Sequence, residues 1–298
     1  MGLRFTLSVL DRFARLGRGT GTYTDYTPWH RVSRADPSSR GRSHLLKWGD
    51  RHRELLSDLE LVAFFFSTMH PDVTDIREQF PLSIEYRGHE LNKYQVGYAD
   101  LDFPGTLEIC KQLDVKHPVV YGSPGVSAEW VMTTDLLLTL KDAHGKWSLL
   151  AVSVKPSLPT EGSRSWQLLN IEREYWQRRR VCWLLITPDQ YDALVADALK
   201  GTFSWAWSET CDQALLNWLT EHELEFDGAN LTKILRYAAS EGNDREGIRT
   251  ALWHGIWKGK LLFDLRRGWR PSDPFIRVTS EEFLAHNPIV SGRSAWKV

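Results

Sequence analysis

The chain has 298 residues, of which 42% are hydrophobic and 25% charged, and its formal net charge is −1. This composition is typical of a folded globular protein and excludes a disordered or collagen-like chain. No apolar stretch approaches the roughly 20 residues that a membrane span needs, and the length suggests two domains or one large one. The three cysteines are scattered and form no C-x-x-C pair, so we expect neither a zinc site nor a disulfide framework, and we expect a cytoplasmic location.

Positive charge is concentrated near the start of the sequence. Residues 1–53 carry 11 lysines and arginines against 4 acids, which leaves a net charge of −8 for the rest of the chain. A basic arm rich in Gly, Ser and Pro indicates contact with a polyanion, although a solvated arm without a partner has the same composition. We select Arg40, Arg42 and Arg51 as candidate DNA contacts.

Helix caps, hydrophobic periodicity and turn residues predict an alternation of helices and strands up to Thr187. The S-x-x-E spacing from Ser57 to Glu60 is a capping box and predicts the start of a helix. Residues 17–53 are predicted to be turn-rich, and residues 84–116 to be an irregular insertion to which we assign no function. In chain order, the predicted elements are a helix over 4–16, the helix from Ser57, a strand over 75–81, strands over 131–140 and 147–155, a helix over 166–180 and a strand over 181–187.

Beyond Pro188 the pattern becomes helical and then ends in a hairpin. Helices are predicted near 189–200, 209–222, 230–240 and 244–258, followed by strands over 260–266 and 275–279. Helices followed by a hairpin are typical of a winged-helix module, which binds either DNA or protein. We therefore predict an α/β domain over 1–188 and a mostly α, winged-helix-like domain over 189–298.

The hairpin over 131–155 carries the residues that point to chemistry. With its turn centred at residue 144, Asp135 lies opposite Ser153. Because side chains alternate along a strand, Ser153 and Lys155 share a face that Asp135 can join. This arrangement approximates the D…(D/E)-x-K pattern of restriction-type nucleases. In that pattern a carboxylate binds Mg²⁺, a backbone carbonyl (here that of Val154) adds a ligand, and the lysine positions water or stabilises phosphate charge.

The second acid of that pattern is absent, because Ser153 occupies its position. Glu60 is the best candidate to supply the missing carboxylate, although it could instead only satisfy the helix start. Asp135 could equally be a strand-edge acid, and Lys155 a solvated strand end. Glu172 could face the same site or only pair with surface charges. Three histidines of this half show no metal-ligand spacing, and we expect phosphate contacts or structural hydrogen bonds from them: His44, His52 and His117.

Nine short segments between residues 17 and 187 form a specific set. They are Asp25–Trp29, Pro37–Ser39, Gly41–His44, Leu55–Glu60, Asp75–Leu82, Lys116–Val119, Met132–Asp135, Val154–Pro156 and Glu172–Trp176. In this order they resemble the TnsA endonuclease family, a subunit of heteromeric cut-and-paste transposons. The last third of the chain resembles the family only in its general helical pattern.

The resemblance implies a restriction-endonuclease-like N-terminal domain with a catalytic set at Glu60, Asp135 and Lys155. It also implies Mg²⁺, which Mn²⁺ could replace, held by Glu60, Asp135 and the Val154 carbonyl. The family often has glutamine two residues before the lysine, where this chain has Ser153. Whether a side chain at that position reaches the metal therefore stays open.

The resemblance also implies partners. In this family TnsA cuts the 5′ ends of the element, a DDE-type transposase, TnsB, cuts and joins the 3′ ends, and an AAA+ ATPase, TnsC, links them to target selection. The expected partners are thus transposon-end DNA and these two proteins, with no membrane. The C-terminal domain resembles one that contacts TnsC. Its mixed charges favour protein docking, with Trp253, Trp257 and Trp269 as aromatic anchors if they are exposed.

Two other functions fit the same residues. One is a catalytically silent DNA-binding adaptor, in which the hairpin is kept for structure and Ser153 marks a lost site. The other is a free-standing restriction or resolvase-type nuclease, which shares the chemistry but not the partners.

Overall fold

The computed structural model describes residues 6–33, 42–95, 101–122, 125–208 and 210–297. They group into two compact units. The first contains the described residues up to Leu61, Asp72–Thr187 and the final residues from Ala295, and the second contains Val62–Pro71 and Pro188–Ser294. The predicted boundary between residues 188 and 189 therefore differs from the structure in two segments. Residues 62–71 belong to the second unit, and the residues from Ala295 onward belong to the first. No helix in the described ranges is long and apolar enough to cross a membrane.

The described elements up to the second unit alternate between helices and strands. In chain order they are α1 (Leu7–Arg15), β1 (His44–Trp48), β2 (Arg51–Leu55), α2 (Asp58–Thr68), β3 (Val73–Pro81), β4 (Arg87–Gly88), β5 (Asp102–Phe103), α3 (Thr106–Gln112), β6 (Val119–Tyr121), β7 (Ser127–Glu129), β8 (Thr133–Lys141), β9 (Trp147–Val154), α4 (Arg164–Arg178) and β10 (Cys182–Ile186). In its described residues, the segment predicted as an irregular insertion contains the short elements β4, β5 and α3, with a 3₁₀ turn at Glu90–Lys93.

A four-stranded mixed sheet lies at the centre of the first unit. Its strand order is β10-β9-β8-β3, with β9 and β10 parallel and the other neighbours antiparallel. In the β8–β9 hairpin, Leu136 pairs with Val152 and Lys141 with Trp147. Both pairs are centred on residue 144, so the predicted register of the hairpin is confirmed.

One face of this sheet is buried by α4. Leu137, Ala151 and Leu185 come from three neighbouring strands and pack in one cluster with Leu169 and Trp176 of α4. The strands β9 and β10 are parallel, and α4 forms the crossover that parallel neighbours require. This packing fixes the ends of β8 and β9 against α4, where the candidate catalytic residues lie.

The strands β1 and β2 form an antiparallel hairpin where the sequence predicted only turns. Its second strand sends charged side chains inward. The Arg51 guanidinium donates to both carboxylate oxygens of Glu78, at 2.6 and 2.5 Å, and the Glu78 side chain is fully buried. The Arg51 side chain is itself only 8% exposed. We therefore correct the prediction that Arg51 contacts DNA, because its guanidinium is occupied inside the protein.

The second unit is helical in its described residues. Its helices, besides the later part of α2, are α5 (Ala193–Ala206), α6 (Gln213–Glu221), α7 (Leu231–Ser240), α8 (Arg245–Trp257) and α9 (Ser280–Ala285). The apolar end of α2 belongs to this core, where the Phe65 ring packs on Phe203 and Trp257 with centroids 5.2 and 5.7 Å apart. Because residues of α2 supply part of this core, a fragment that begins near residue 189 would lack it.

The predicted terminal hairpin is reduced to a single bridge. Between residues 260 and 279 the described chain forms no strand, and Phe263 pairs with Arg277 in one isolated antiparallel bridge. Trp253 and Trp257 of α8 are 1% and 2% exposed, so they are core residues and the prediction that they anchor a partner is wrong. Trp269 is partly buried, and its ring fills the space where a side chain at Gly201 would lie.

The structural role of Arg51 can be tested by its removal. We expect Arg51→Met to lower the free energy of unfolding by about 3–5 kcal/mol, because it removes the guanidinium that binds both oxygens of the buried Glu78 carboxylate and leaves only the longer contact to Arg53, at 3.8 Å. Arg42→Met, at an exposed position, is the matched control and should change stability by less than about 0.5 kcal/mol. Denaturant titration of both variants checks this, and equal stabilities would contradict the buried ion pair.

Candidate active site

Asp135 and Lys155 meet where the β8–β9 hairpin opens. Beyond the last paired residues of the hairpin, the Asp135 carboxylate accepts hydrogen bonds from the Val154 amide at 2.7 Å and from the Lys155 ammonium at 3.0 Å. The same ammonium donates to the Val154 carbonyl at 2.9 Å. Two oxygens that the sequence analysis selected as metal ligands therefore converge on one cationic group.

Glu60 lies at position N3 of α2, where the predicted capping box has formed in part: the Ser57 side chain caps the helix, and the Glu60 side chain reaches back to the Leu56 amide instead of the Ser57 amide. The Ser57 hydroxyl accepts from the Glu60 amide at 3.1 Å and donates to the Glu60 carboxylate at 3.2 Å. The other carboxylate oxygen accepts from the Leu56 amide at 2.8 Å. Glu60 is only 8% exposed. The cap thus holds a buried carboxylate in a fixed position, which is compatible with a second role in a catalytic site.

Gln79 completes the surroundings of Glu60, and the sequence analysis did not select it. Its side-chain amide donates to Glu60 at 3.0 Å. The Gln79 backbone has φ +50°, a left-handed conformation that residues other than glycine rarely adopt. Buried residues in such strained conformations cluster at functional sites. Its signal in the sequence is weak, because a single glutamine inside a strand has no distinctive spacing.

Glu172 of α4 is the fourth charged residue of the site. It is 4% exposed, and one of its carboxylate oxygens accepts hydrogen bonds from the Thr134 hydroxyl at 2.7 Å, from the Ser153 hydroxyl and from the Trp183 indole at 3.4 Å. The Ser153 hydroxyl also accepts from that indole at 3.1 Å. Ser153, at the position of the missing acid, therefore supports Glu172 inside the core.

The charges of these residues act on one another. Burial and the nearby Asp135 raise the pKa of Glu60 to about 7. Burial also raises the pKa of Glu172 to about 7; Lys155 opposes this shift and Asp135 adds to it. Burial alone would lower the pKa of Lys155, but Asp135 and Glu172 outweigh it and raise that pKa. Three acids and one lysine thus form a single electrostatic cluster.

The types of donor atom at the site are those that a hard divalent cation prefers. Asp135 and Glu60 offer carboxylate oxygens and Val154 a carbonyl oxygen, which are the donors that Mg²⁺ prefers. Over the residues that the structure describes, no three His, Cys, Asp or Glu side chains form a metal-binding cluster. The donor set is therefore not a closed cage. Mg²⁺ suits such a set, because it usually keeps several waters and is held by one or two carboxylates together with substrate phosphates.

The other selected residues that the structure describes lie outside this cluster. Arg42 is exposed just before β1, and Arg40 lies outside the described residues. His44 and His117 are hydrogen-bonded to side chains of their own unit, Asp58 and Thr106. His52 is exposed on β2. A DNA contact by Arg42 or His52 remains a prediction.

Comparison with known proteins identifies the family. A family model described as "TnsA-like endonuclease N terminal" matches residues 70–188. The "Transposon Tn7 transposition protein TnsA" of Escherichia coli is 34% identical over 215 residues, which cover 71% of this chain and 68% of that protein. The chain belongs to the TnsA family. The α/β architecture of its first unit is consistent with the restriction-endonuclease-like domain that this family predicts.

The TnsA match covers the site unevenly. Asp135, Lys155 and Glu172 fall within the residues matched by the TnsA family model, whereas Glu60 precedes its first residue. The place of Glu60 in the site therefore depends on its electrostatic interaction with Asp135 and Lys155, which act in opposite directions on its pKa.

The buried acids predict an unusual dependence of stability on pH. Because their pKa values are raised to about 7, the stability that protonated Glu60 and Glu172 contribute is complete below about pH 4.5 and is lost as the pH rises through about 7. Glu172→Gln keeps an oxygen that can accept from Thr134 and Ser153 but carries no charge. We expect the free energy of unfolding of Glu172→Gln to fall less than that of wild type between about pH 4.5 and 8, by on the order of 3 kcal/mol.

Denaturant unfolding with a chelator present, repeated across this pH range, checks the expectation. Glu161→Gln removes an exposed acid of the same unit and should keep the wild-type profile. An identical decline in wild type and Glu172→Gln would show that Glu172 ionises as freely in the folded protein as in the unfolded chain.

Proposed function

We propose that this TnsA-family endonuclease hydrolyses, with Mg²⁺, the phosphodiester bonds at the 5′ ends of a transposon. The observation that carries the proposal is the convergence of Asp135 and the Val154 carbonyl on Lys155. Glu60 supports the proposal as a second carboxylate of the same electrostatic cluster, because the charge of Asp135 contributes to the raised pKa of Glu60. Membership of the TnsA family supports transposon-end DNA as the substrate.

In the proposed mechanism the protein supplies fixed charges around the scissile phosphate. Lys155 is protonated at neutral pH, because neighbouring acids raise its pKa. It therefore serves as a donor to a phosphate oxygen and not as a base. Ionised Asp135 and Glu60, with the Val154 carbonyl, would hold the metal ion. Bound Mg²⁺ supplies Lewis-acid stabilisation of the phosphate and lowers the pKa of water.

Strand-resolved cleavage of a transposon-end duplex, with Mg²⁺ and partner proteins, tests the proposal. We expect Asp135→Ala and the nearly isosteric Asp135→Asn to slow 5′-end cutting at least about 100-fold, because a metal ligand governs several kcal/mol of transition-state stabilisation. Asp197→Asn, which changes an exposed acid, is the control and should cut normally. Full cutting by folded Asp135→Asn would leave the silent adaptor as the better assignment.

The partners are proposed from family membership and from surface chemistry. We propose contact between the basic arm, through Arg40 and Arg42, and DNA in the cytoplasm. We also propose a DDE-type transposase of the TnsB kind and an AAA+ ATPase of the TnsC kind as partners, with the ATPase on the second unit. A winged-helix-like arrangement of α7, α8 and the bridge at Phe263 remains part of this proposal.

The docking of the ATPase needs a new anchor, because Trp253 and Trp257 are buried. Leu224 is 74% exposed and lies in the sequence between His222 and Phe226, two members of an aromatic cluster in which Trp218 stacks on His222 at 4.5 Å between ring centroids. Exposed apolar residues next to aromatic ones are typical of protein interfaces.

We expect Leu224→Asp in the full chain to weaken co-purification with the TnsC-type ATPase at least about tenfold, the range of an interface hot spot. DNA binding should stay unchanged. Leu45→Asp changes a leucine of the first unit that is 60% exposed and serves as the control. Wild-type association by Leu224→Asp would exclude this surface as the docking site.

A further inference from the structure

A cavity lined by several charged side chains lies in the first unit, between β3 and the segment predicted as an insertion. It has a volume of about 270 Å³, and its lining shares no residue with the set Glu60, Asp135 and Lys155. Basic and amide side chains dominate its polar lining: Arg77, Arg87, Lys93, His89 and Asn92, with Glu90 as the one acid among the charged residues that line it. The cavity is large enough for a phosphate group.

Arg77 is a buried cation in the lining of this cavity. It is 1% exposed, yet its Nε and Nη2 atoms have no hydrogen-bond partner among the described residues. Its guanidinium lies over the rings of Phe80 and Tyr94, 4.6 and 5.1 Å from their centroids. These rings stabilise a cation but cannot accept the guanidinium's hydrogen bonds. A buried charge without a partner is strongly destabilising, so its retention calls for an anion.

The two acids near Arg77 form no ion pair with it, although one oxygen of each, Asp75 Oδ1 and Glu90 Oε2, also lacks a hydrogen-bond partner among the described residues. Asp75 accepts hydrogen bonds from the Tyr94 hydroxyl at 2.6 Å and from the Tyr23 amide at 2.9 Å. Glu90 accepts from Tyr175 at 2.6 Å and from Arg179 at 3.0 Å. No carboxylate of the described residues lies within ion-pair distance of Arg77.

Two further cations stand at the rim. Arg87 and Lys93 are exposed residues that line the cavity beside Arg77. Partial burial, Arg77 and Arg87 together lower the pKa of Lys93, which shows that these positive charges repel one another. A bound anion would relieve this repulsion, and a phosphate offers several oxygens for a guanidinium fork and an ammonium.

We propose that this cavity binds a phosphate group through Arg77, Lys93 and Arg87. The source of the phosphate rests on the proposed function: for a transposon-end endonuclease, it is a DNA backbone phosphate away from the bond that is cut. The segment after β3 would then position DNA on the first unit independently of the metal-binding acids.

The first experiment uses inorganic phosphate and the full chain without metal. Sodium phosphate replaces sodium chloride at constant ionic strength, and the melting temperature of the first unit should rise with phosphate. In Arg77→Met this rise should be lost, and the melting temperature without phosphate should equal or exceed that of wild type because an unpaired buried charge is gone.

Lys93→Gln keeps the buried residues unchanged and should need several times more phosphate for the same rise. It carries the test if Arg77→Met does not fold. Lys146→Gln removes one exposed positive charge from the β8–β9 turn and should respond like wild type. A wild-type phosphate response in Lys93→Gln, or in folded Arg77→Met, would overturn the proposal.

The second experiment identifies the source of the phosphate. Duplex binding without divalent metal is measured against salt concentration, so that no cleavage is involved and the result does not depend on an active nuclease. Loss of one phosphate contact should reduce the slope of log K against log salt by roughly 0.9 in Lys93→Gln and Arg77→Met. Unchanged slopes, with a lost response to inorganic phosphate, would exclude DNA and assign the cavity to a small phosphorylated ligand.

Discussion

The candidate site depends on the hydrogen bonds that the Asp135 carboxylate accepts. This carboxylate ties β8 to β9 beyond their last paired residues by accepting from the Val154 amide and the Lys155 ammonium. On its other side the same segment is held by β10, where Val154 pairs with Ile186 and the Lys155 amide donates to the Ile186 carbonyl at 3.0 Å. The sheet makes the site rigid, since apolar side chains of three strands pack on α4. The Asp135 carboxylate fixes the position of the Lys155 ammonium.

Burial makes the site rigid, but it also disfavours the ionised form of its carboxylates. Glu60 and Glu172 are each less than 10% exposed, and their pKa values rise to about 7. A nuclease of this type needs ionised acids to hold a cation. Binding of a divalent ion would therefore favour ionisation of Glu60, so metal affinity and pH should be linked at this site. Lys155 alone offsets only part of the negative charge of three acids.

Local patterns predicted most of the first unit. The β8–β9 register followed from turn residues and alternation, and the start of α2 followed from the Ser57 capping box. The β1–β2 hairpin could not be predicted in this way, because its charged strand is stabilised by Glu78, a residue more than twenty positions away on β3. The prediction of a terminal hairpin was wrong. Its two segments are apolar enough for strands, but Phe263 and Arg277 are the one pair of described residues that forms a bridge between them. Asp135 and Lys155 were found from spacing, whereas Gln79 and the contacts of Glu172 needed three-dimensional neighbours.

The replacement of an acid by Ser153 changes how the site is built. An acid at this buried position would face Glu172, and two carboxylates so close could not both ionise. The Ser153 hydroxyl instead donates to Glu172, as Thr134 and Trp183 do. The Ser153 and Thr134 hydroxyls favour the ionised form of Glu172 and limit the rise in its pKa that burial causes. The additional negative charge of the site therefore lies on α4, where Glu172 acts electrostatically on Lys155. Ser153, at the strand position of the missing acid, orients the Glu172 carboxylate through its hydrogen bond.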